Sequence, residues 1–135
     1  MKNLKSKNVL VTGGARGIGK QIAIEFAKQG SNIIICDADK NFMDQNTFID
    51  GINEIKSFGV ECNYYYLDVV DIEIIKKVRK KIIQDLGKID ILVNNAGVVF
   101  GGKFLDVDLD NHRLTYDVNT QGVVNMTYAF LQDLI

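Results

Sequence analysis

Proline is absent from all 135 residues, against an average usage of about 5%. That absence fits a short, heavily regular fragment. Cysteine occurs twice, at Cys36 and Cys62, without metal-ligand spacing. The pair is read as reduced, buried thiols of a cytoplasmic protein, with no metal site. His112 is the only histidine. It stands near the start of the last predicted helix with no Ser or Cys at partner spacing, so it reads as a surface or capping residue and not as the base of a nucleophile. Charge of one sign is also lacking: 16 basic residues oppose 17 acidic ones, for a net charge of −1. A nucleic-acid or membrane-surface partner is therefore not expected. No apolar run approaches the roughly 18 residues of a membrane-spanning helix. The apolar stretch after the basic start "MKNLKSK" is too short for a signal peptide.

What is present is an ordinary globular composition, 47% hydrophobic and 24% charged, with no repeat, linker or low-complexity tract. It predicts one domain over 1–135, large enough for its own core. Strand and helix patterns alternate strictly. Strands are expected at 7–12, 32–37, 61–69 and 88–97. Helices are expected at 17–30, 41–59, 71–87 and 108–135, the first three closed by Gly30, Gly59 and Gly87. Asp71 is the expected cap of the third, and Gly51 a weak point of the second. "NIIICD" and "IDILVNN" are nearly continuous apolar runs, as in strands covered on both faces. The pattern predicts an α/β fold: a doubly wound parallel sheet of Rossmann type, in strand order 3-2-1-4.

"TGGARGIG" (residues 12–19) then falls between the first strand and the first helix. Three glycines crowd this turn. Gly13 permits the sharp bend, Gly17 permits close approach of a pyrophosphate, and Gly19 permits tight packing of helix on strand. Free amides at a helix start favour an anion there. Asp37 lies 18 residues after Gly19, at the end of the second strand, where a carboxylate can bond ribose hydroxyls. Asp39 is the better candidate for a plain helix cap. An unliganded βα turn remains the alternative for the glycines alone.

Together with three further motifs, this turn resembles the short-chain dehydrogenase/reductase family. "TGGARGIG" is similar to that family's Thr-Gly-x-x-x-Gly-x-Gly signature. "NNAG" (94–97) is similar to the signature after its fourth strand, "LDV" (67–69) to its adenine-contacting motif, and "DVNTQG" (117–122) to the helix segment carrying its active-site Asn. The resemblance covers nearly the whole chain in the right order. It implies that Gly13, Arg16, Gly17, Ile18 and Gly19 contact or neighbour the cofactor, and that Asp37 binds its adenosine ribose. Asp68 and Val69 would flank the adenine, and Asn95, Ala96 and Gly97 would line the nicotinamide side. Asn94 would be structural, tying strands together. Asn119 would be catalytic, helping to hold a water in a proton relay. A carboxylate at Asp37 repels the 2′-phosphate of NADP, whereas Arg16 could pair with it; the balance favours NAD over NADP.

The family's hydride transfer to or from an alcohol or ketone uses a Tyr with a Lys four residues later, because a phenol needs a nearby cation to act as a base at neutral pH. None of the five tyrosines (64, 65, 66, 116 and 128) has that Lys. The adjacent three read as packing residues. The chain is therefore expected to be the cofactor-binding half of a longer dehydrogenase, truncated before the catalytic Tyr and inactive alone. Its substrate would be a small alcohol or ketone, and the apolar start of "VVFGGKFLDVD" permits a lipophilic one. Apolar surface on the last helix predicts a homo-oligomer. Two other readings stay open: a non-catalytic dinucleotide-binding or sensing module, and a mononucleotide-binding α/β fold. A P-loop is excluded because Lys20 is followed by Gln21.

Overall fold

The computed structural model describes residues 3–135. Four parallel strands form one sheet: β1 (Asn8–Thr12), β2 (Asn32–Asp37), β3 (Cys62–Tyr66) and β4 (Ile91–Val93), in the order β3-β2-β1-β4. This is the expected order. Val9 pairs with Ile33 on one side and Ile91 on the other. Below the sheet's inner end, Asn8 fixes the start of β4: its amide donates to Asp90 Oδ2 at 2.9 Å and its side chain to the Lys88 carbonyl at 2.9 Å.

Of the two apolar runs read as buried on both faces, β2 is so, as is its neighbour β1. Val9, Leu10 and Val11 of β1 and Ile33, Ile34 and Ile35 of β2 are buried. Alternate side chains enter two cores, one on each face. Helices α1 (Gly17–Lys28) and α3 (Asn46–Lys56) cover the first core with Ala23, Ile24, Phe48 and Ile52. Helices α4 (Ile72–Leu86) and α6 (Gly122–Leu134) cover the second with Ile75, Ile82, Met126 and Phe130. Each such side chain contributes about 1.5–3 kcal/mol by leaving water. β4 departs from the expectation. It is only three residues long and its side chains are half-buried, because it pairs with β1 alone and stands at the sheet edge.

Two helices differ from the sequence reading. The helix expected at 41–59 is divided into α2 (Lys40–Met43) and α3, with Gln45 extended between them at φ −91° and ψ 150°. The bend lets Phe48 sit edge-on to both Phe42 (6.1 Å between centroids) and Tyr64 (5.0 Å). Gly51 is a helix crossing, not a weak point: it is buried, and a Cβ there would stand 3.2 Å from Lys20 Cε of α1. The last helix is likewise not uniform. It runs as α5 (Leu109–Tyr116), a wider π turn (Asp117–Gln121) and α6. A Cβ on Gly122 would strike the Val69 side chain, so α6 approaches the loop after β3 closely because Gly122 has no side chain. The helix caps fall where expected, with Asp71 Oδ1 accepting the Ile74 amide at 3.1 Å and left-handed glycines at Gly30, Gly59 and Gly87.

Candidate functional site

The carboxyl ends of the strands open into a cleft of about 680 Å³. Open α/β sheets bind ligands at this end, beside the strand-order switch. The β1–α1 turn forms one wall. Gly13 and Gly17 both have φ of +62°, a backbone region that L side chains rarely adopt. The two glycines are required for different reasons. A Cβ on Gly13 would be 3.0 Å from Ala96 Cα, whereas one on Gly17 would meet nothing within 4 Å. Open space therefore lies over Gly17. A Cβ on Gly19 would collide with the Gly13 carbonyl oxygen and the Asn95 amide, so helix α1 can reach the strand only with glycine there. No side chain caps the start of α1, unlike α2 and α4, which Asp39 and Asp71 cap.

Asp37 ends β2 and grips the turn. Its Oδ2 accepts the Ala15 amide at 3.1 Å, and its Oδ1 accepts the Asp39 amide at 2.9 Å. Behind it, the Gly13 amide donates to the Cys36 carbonyl at 2.7 Å. The carboxylate is thus fixed at both oxygens, while each oxygen keeps a further lone pair. Asp39 caps α2 through the Phe42 amide at 3.0 Å, the plainer role foreseen for it. Arg16 reaches the same residue, donating to Asp39 Oδ2 at 2.8 Å.

The opposite wall depends on Thr12, which is buried. Its Oγ1 accepts the amides of Asn95 and Ala96, each at 3.0 Å. Asn95 Nδ2 donates to the carbonyls of Thr12 and Gly13, both at 3.1 Å. The strand tie expected of Asn94 therefore belongs to Asn95. Asn94 instead reaches Thr127 Oγ1 of α6 at 3.3 Å, since the chain has already turned out of the sheet beyond Val93. Asn119, in the π turn, accepts the Val98 amide at 2.8 Å and donates to the Val98 carbonyl at 2.9 Å. Both ends of its amide bond that one residue, and each keeps a further hydrogen-bonding position.

Of the residues singled out from sequence, Gly13, Arg16, Asp37, Asp68, Val69, Asn95, Ala96 and Gly97 line the cleft together. Gly17 and Gly19 form the first turn of α1 beside it. Ile18 points away. It is 76% exposed and borders a shallow apolar groove on the outer face of α1 with Leu4 and Phe26. Asp68 Oδ1 accepts the Val70 amide at 3.1 Å, and Asn125 of α6 donates to the Val69 carbonyl at 2.9 Å. Tyr66, Leu114 and Val118 also line the cleft and were not foreseen. The alternation along β3 carries the signal for Tyr66: Tyr64 and Tyr66 share one face, and both are partly exposed. Tyr65 faces the other way and donates to Asp85 at 3.1 Å. Burial, with the Asp85 hydrogen bond, pushes the Tyr65 phenol up to about 12. Burial also raises the Cys36 thiol strongly and moves Cys62 to about 12. Both cysteines are free. His112 Nε2 bonds the Phe104 carbonyl at 2.9 Å, with the two rings stacked 4.5 Å apart. Among the described residues no helix is long and apolar enough to cross a membrane.

The family profile described as short chain dehydrogenase matches residues 7–135. Human short-chain dehydrogenase/reductase 3 is 37% identical over all of this chain and 43% of its own length. Oxidoreductase UcpA of Escherichia coli K12 is 37% identical over all of this chain and 49% of its own length. The chain thus spans about half the length of the curated relatives it matches. Among solved structures, an alcohol dehydrogenase from the archaeon Thermococcus sibiricus, complexed with 5-hydroxy-NADP, superimposes with a TM-score of 0.85 at 27% identity. That match covers 96% of this chain and 53% of the archaeal one. By profile, sequence and fold, this chain belongs to the short-chain dehydrogenase/reductase family.

Proposed function

We propose that the cleft binds a nicotinamide dinucleotide, NAD in preference to NADP. In this reading residues 1–135 are a Rossmann-type cofactor domain, one part of a longer oxidoreductase acting on an alcohol or carbonyl compound. The observation that carries the reading is the Asp37 carboxylate, held by the glycine turn with lone pairs to spare beside open space over Gly17.

The cofactor, when bound, supplies the site that accepts or donates hydride. The chain's own residues bind and orient it. The uncapped amides of Gly17, Ile18 and Gly19 face the pyrophosphate, where the helix start favours negative charge. Asp37 accepts hydrogen bonds from the adenosine ribose hydroxyls, and its charge disfavours a 2′-phosphate. Asp68, Val69 and Tyr66 border the adenine. Asn95, Ala96 and Gly97 border the nicotinamide ribose. Asn119 positions the Val98 loop and, with its remaining donor and lone pair, would help hold a water in a proton relay.

No Tyr in the sequence carries a Lys four residues on. The purified chain is therefore expected to form no NADH from any alcohol, and detectable turnover would contradict this. A second reading is a dinucleotide-binding or sensing module without chemistry of its own; a continuation of the chain lacking Ser and Tyr-x-x-x-Lys would favour it. Two free, buried thiols agree with a reducing, cytoplasmic setting. A small alcohol or ketone, lipophilic if it contacts Val98 and Val99, is the substrate class proposed for the longer protein.

Thermal denaturation with NAD, NADP, ATP and FMN tests the reading. Stabilisation by NAD above the others is expected, growing with concentration as for any native-state ligand. Selective stabilisation by ATP or FMN would replace the dinucleotide site with a mononucleotide one.

A further inference from the structure

Arg16 is the only cation within the glycine turn, and the rim of the cleft holds it in place. Its Nη2 donates to Asp39 Oδ2 at 2.8 Å, and its guanidinium lies over the Phe42 ring, 4.9 Å from the centroid. Asp39 is not free to follow a departing arginine. Its Oδ1 caps α2 at the Phe42 amide, and its own amide donates to Asp37. The side chains of the pair are 63% and 37% exposed. Water and salt screen such a pair, so it acts as a weak latch that a competing anion can open.

A phosphate on the adenosine 2′-oxygen would arrive at this rim, beside Asp37. With the latch closed it meets two carboxylates, and the guanidinium it would pair with already donates to one of them. Lys40 is the other cation lining the rim, with its Nζ 5.9 Å from the centre of the Tyr66 ring.

We propose that Asp39 is a specificity determinant: by holding Arg16 it withholds the glycine turn's cation from a 2′-phosphate and so sets the preference for NAD. This rests on the cleft being a dinucleotide site.

Calorimetric titration of the 135-residue chain with NAD and with NADP tests it, using wild type, Asp39→Asn, Arg16→Gln and the double variant. Asparagine is among the best helix caps, so Asp39→Asn keeps α2 closed while removing the charge. The NADP-to-NAD affinity ratio is expected to rise about fivefold in Asp39→Asn, the upper range for an exposed pair. The gain should shrink at high salt and vanish in the double variant. An unchanged ratio in Asp39→Asn overturns the proposal. So does a gain that survives without Arg16, which would make Lys40 or the Asp39 charge itself the agent. Wild-type binding separates the two levels: if NAD binds and the ratio does not move, only this inference falls; if neither dinucleotide binds, the reading of the cleft falls with it.

Discussion

β2 and β4 look alike as sequence and differ as structure. β2 centres on three isoleucines and β4 is Ile-Leu-Val, both in a parallel sheet. Ile33, Ile34 and Ile35 are fully buried, whereas Ile91, Leu92 and Val93 are half-buried. The difference is one of neighbours. β2 lies between β1 and β3, while β4 has β1 on one side only. It extends to everything each strand positions. The half of the cleft built on β1, β2 and β3 is tied by main-chain hydrogen bonds and dense packing. Beyond β4, large apolar side chains stand in solvent: Val99, Phe104, Leu105 and Tyr128 are each more than 70% exposed. A strand's composition reports the environment it is suited to, and its place in the sheet decides how much of that environment it receives.

Five substitutions break or sharpen this contrast. Gly19→Val strikes the tied half hardest, because the new side chain collides with the Gly13 carbonyl and the Asn95 amide. Overpacking of this kind costs about 3 kcal/mol. Chemical denaturation should register that loss, together with complete loss of NAD binding. Gly17→Ala meets open space and should cost far less stability, which separates packing from backbone conformation. Asp37→Ala removes the acceptors for Ala15 and Asp39 and, on the proposed reading, for the ribose. Hydrogen bonds to a charged group contribute about 1.5–3 kcal/mol, so NAD affinity should fall at least tenfold and the NAD preference should narrow. Unchanged NAD affinity in a calorimetric titration would remove Asp37 from the site.

The fourth substitution tests the exposed half. Tyr128 of α6 borders a groove between α4 and α6 with Ile72 and Val124. Light scattering should find the chain self-associated. An exposed aromatic at the centre of such a contact contributes about 2 kcal/mol, so Tyr128→Lys should weaken association by roughly thirtyfold. A clean monomer at high concentration in wild type would exclude this surface. The smallest effect is alkaline. Cys62 ionises near 9 when unfolded and at about 12 when folded, and Tyr65 moves from 10 to about 12. The folded state therefore holds these protons more tightly. Stability should be level below pH 9 and fall as pH rises from there towards 12. Cys62→Ala should flatten part of that decline in pH-dependent denaturation.

The strand order could be read from the strand and helix alternation over residues 7–97, and the glycine turn from residues 7–37, because local rules and the global fold agree there. Continuous apolar strands, a helix opening on glycine and an acid at the next strand's end each require the same geometry. Less was legible after residue 40. The break at Gln45 follows from where Phe48 must pack, which lies outside any window of neighbouring residues. The π turn depends on Asn119 meeting Val98 and on Gly122 meeting Val69, contacts that span 21 and 53 positions. The roles of Asn94 and Asn95 could not be divided by adjacency alone. Which amide reaches Thr12 is set by how the chain leaves β4. Leu114 and Val118 carry no motif, and they reach the cleft only because α5 and the π turn pass over its end.

Amide chemical shifts followed during NAD titration test the central claim most directly. The account predicts that the largest changes fall on Gly13, Gly17, Ile18 and Gly19, on Ala15 and Asp39 beside the Asp37 carboxylate, and on Asp68, Val69 and residues 95–97. Those amides remaining still at saturating NAD, or moving only with ATP or FMN, would contradict it.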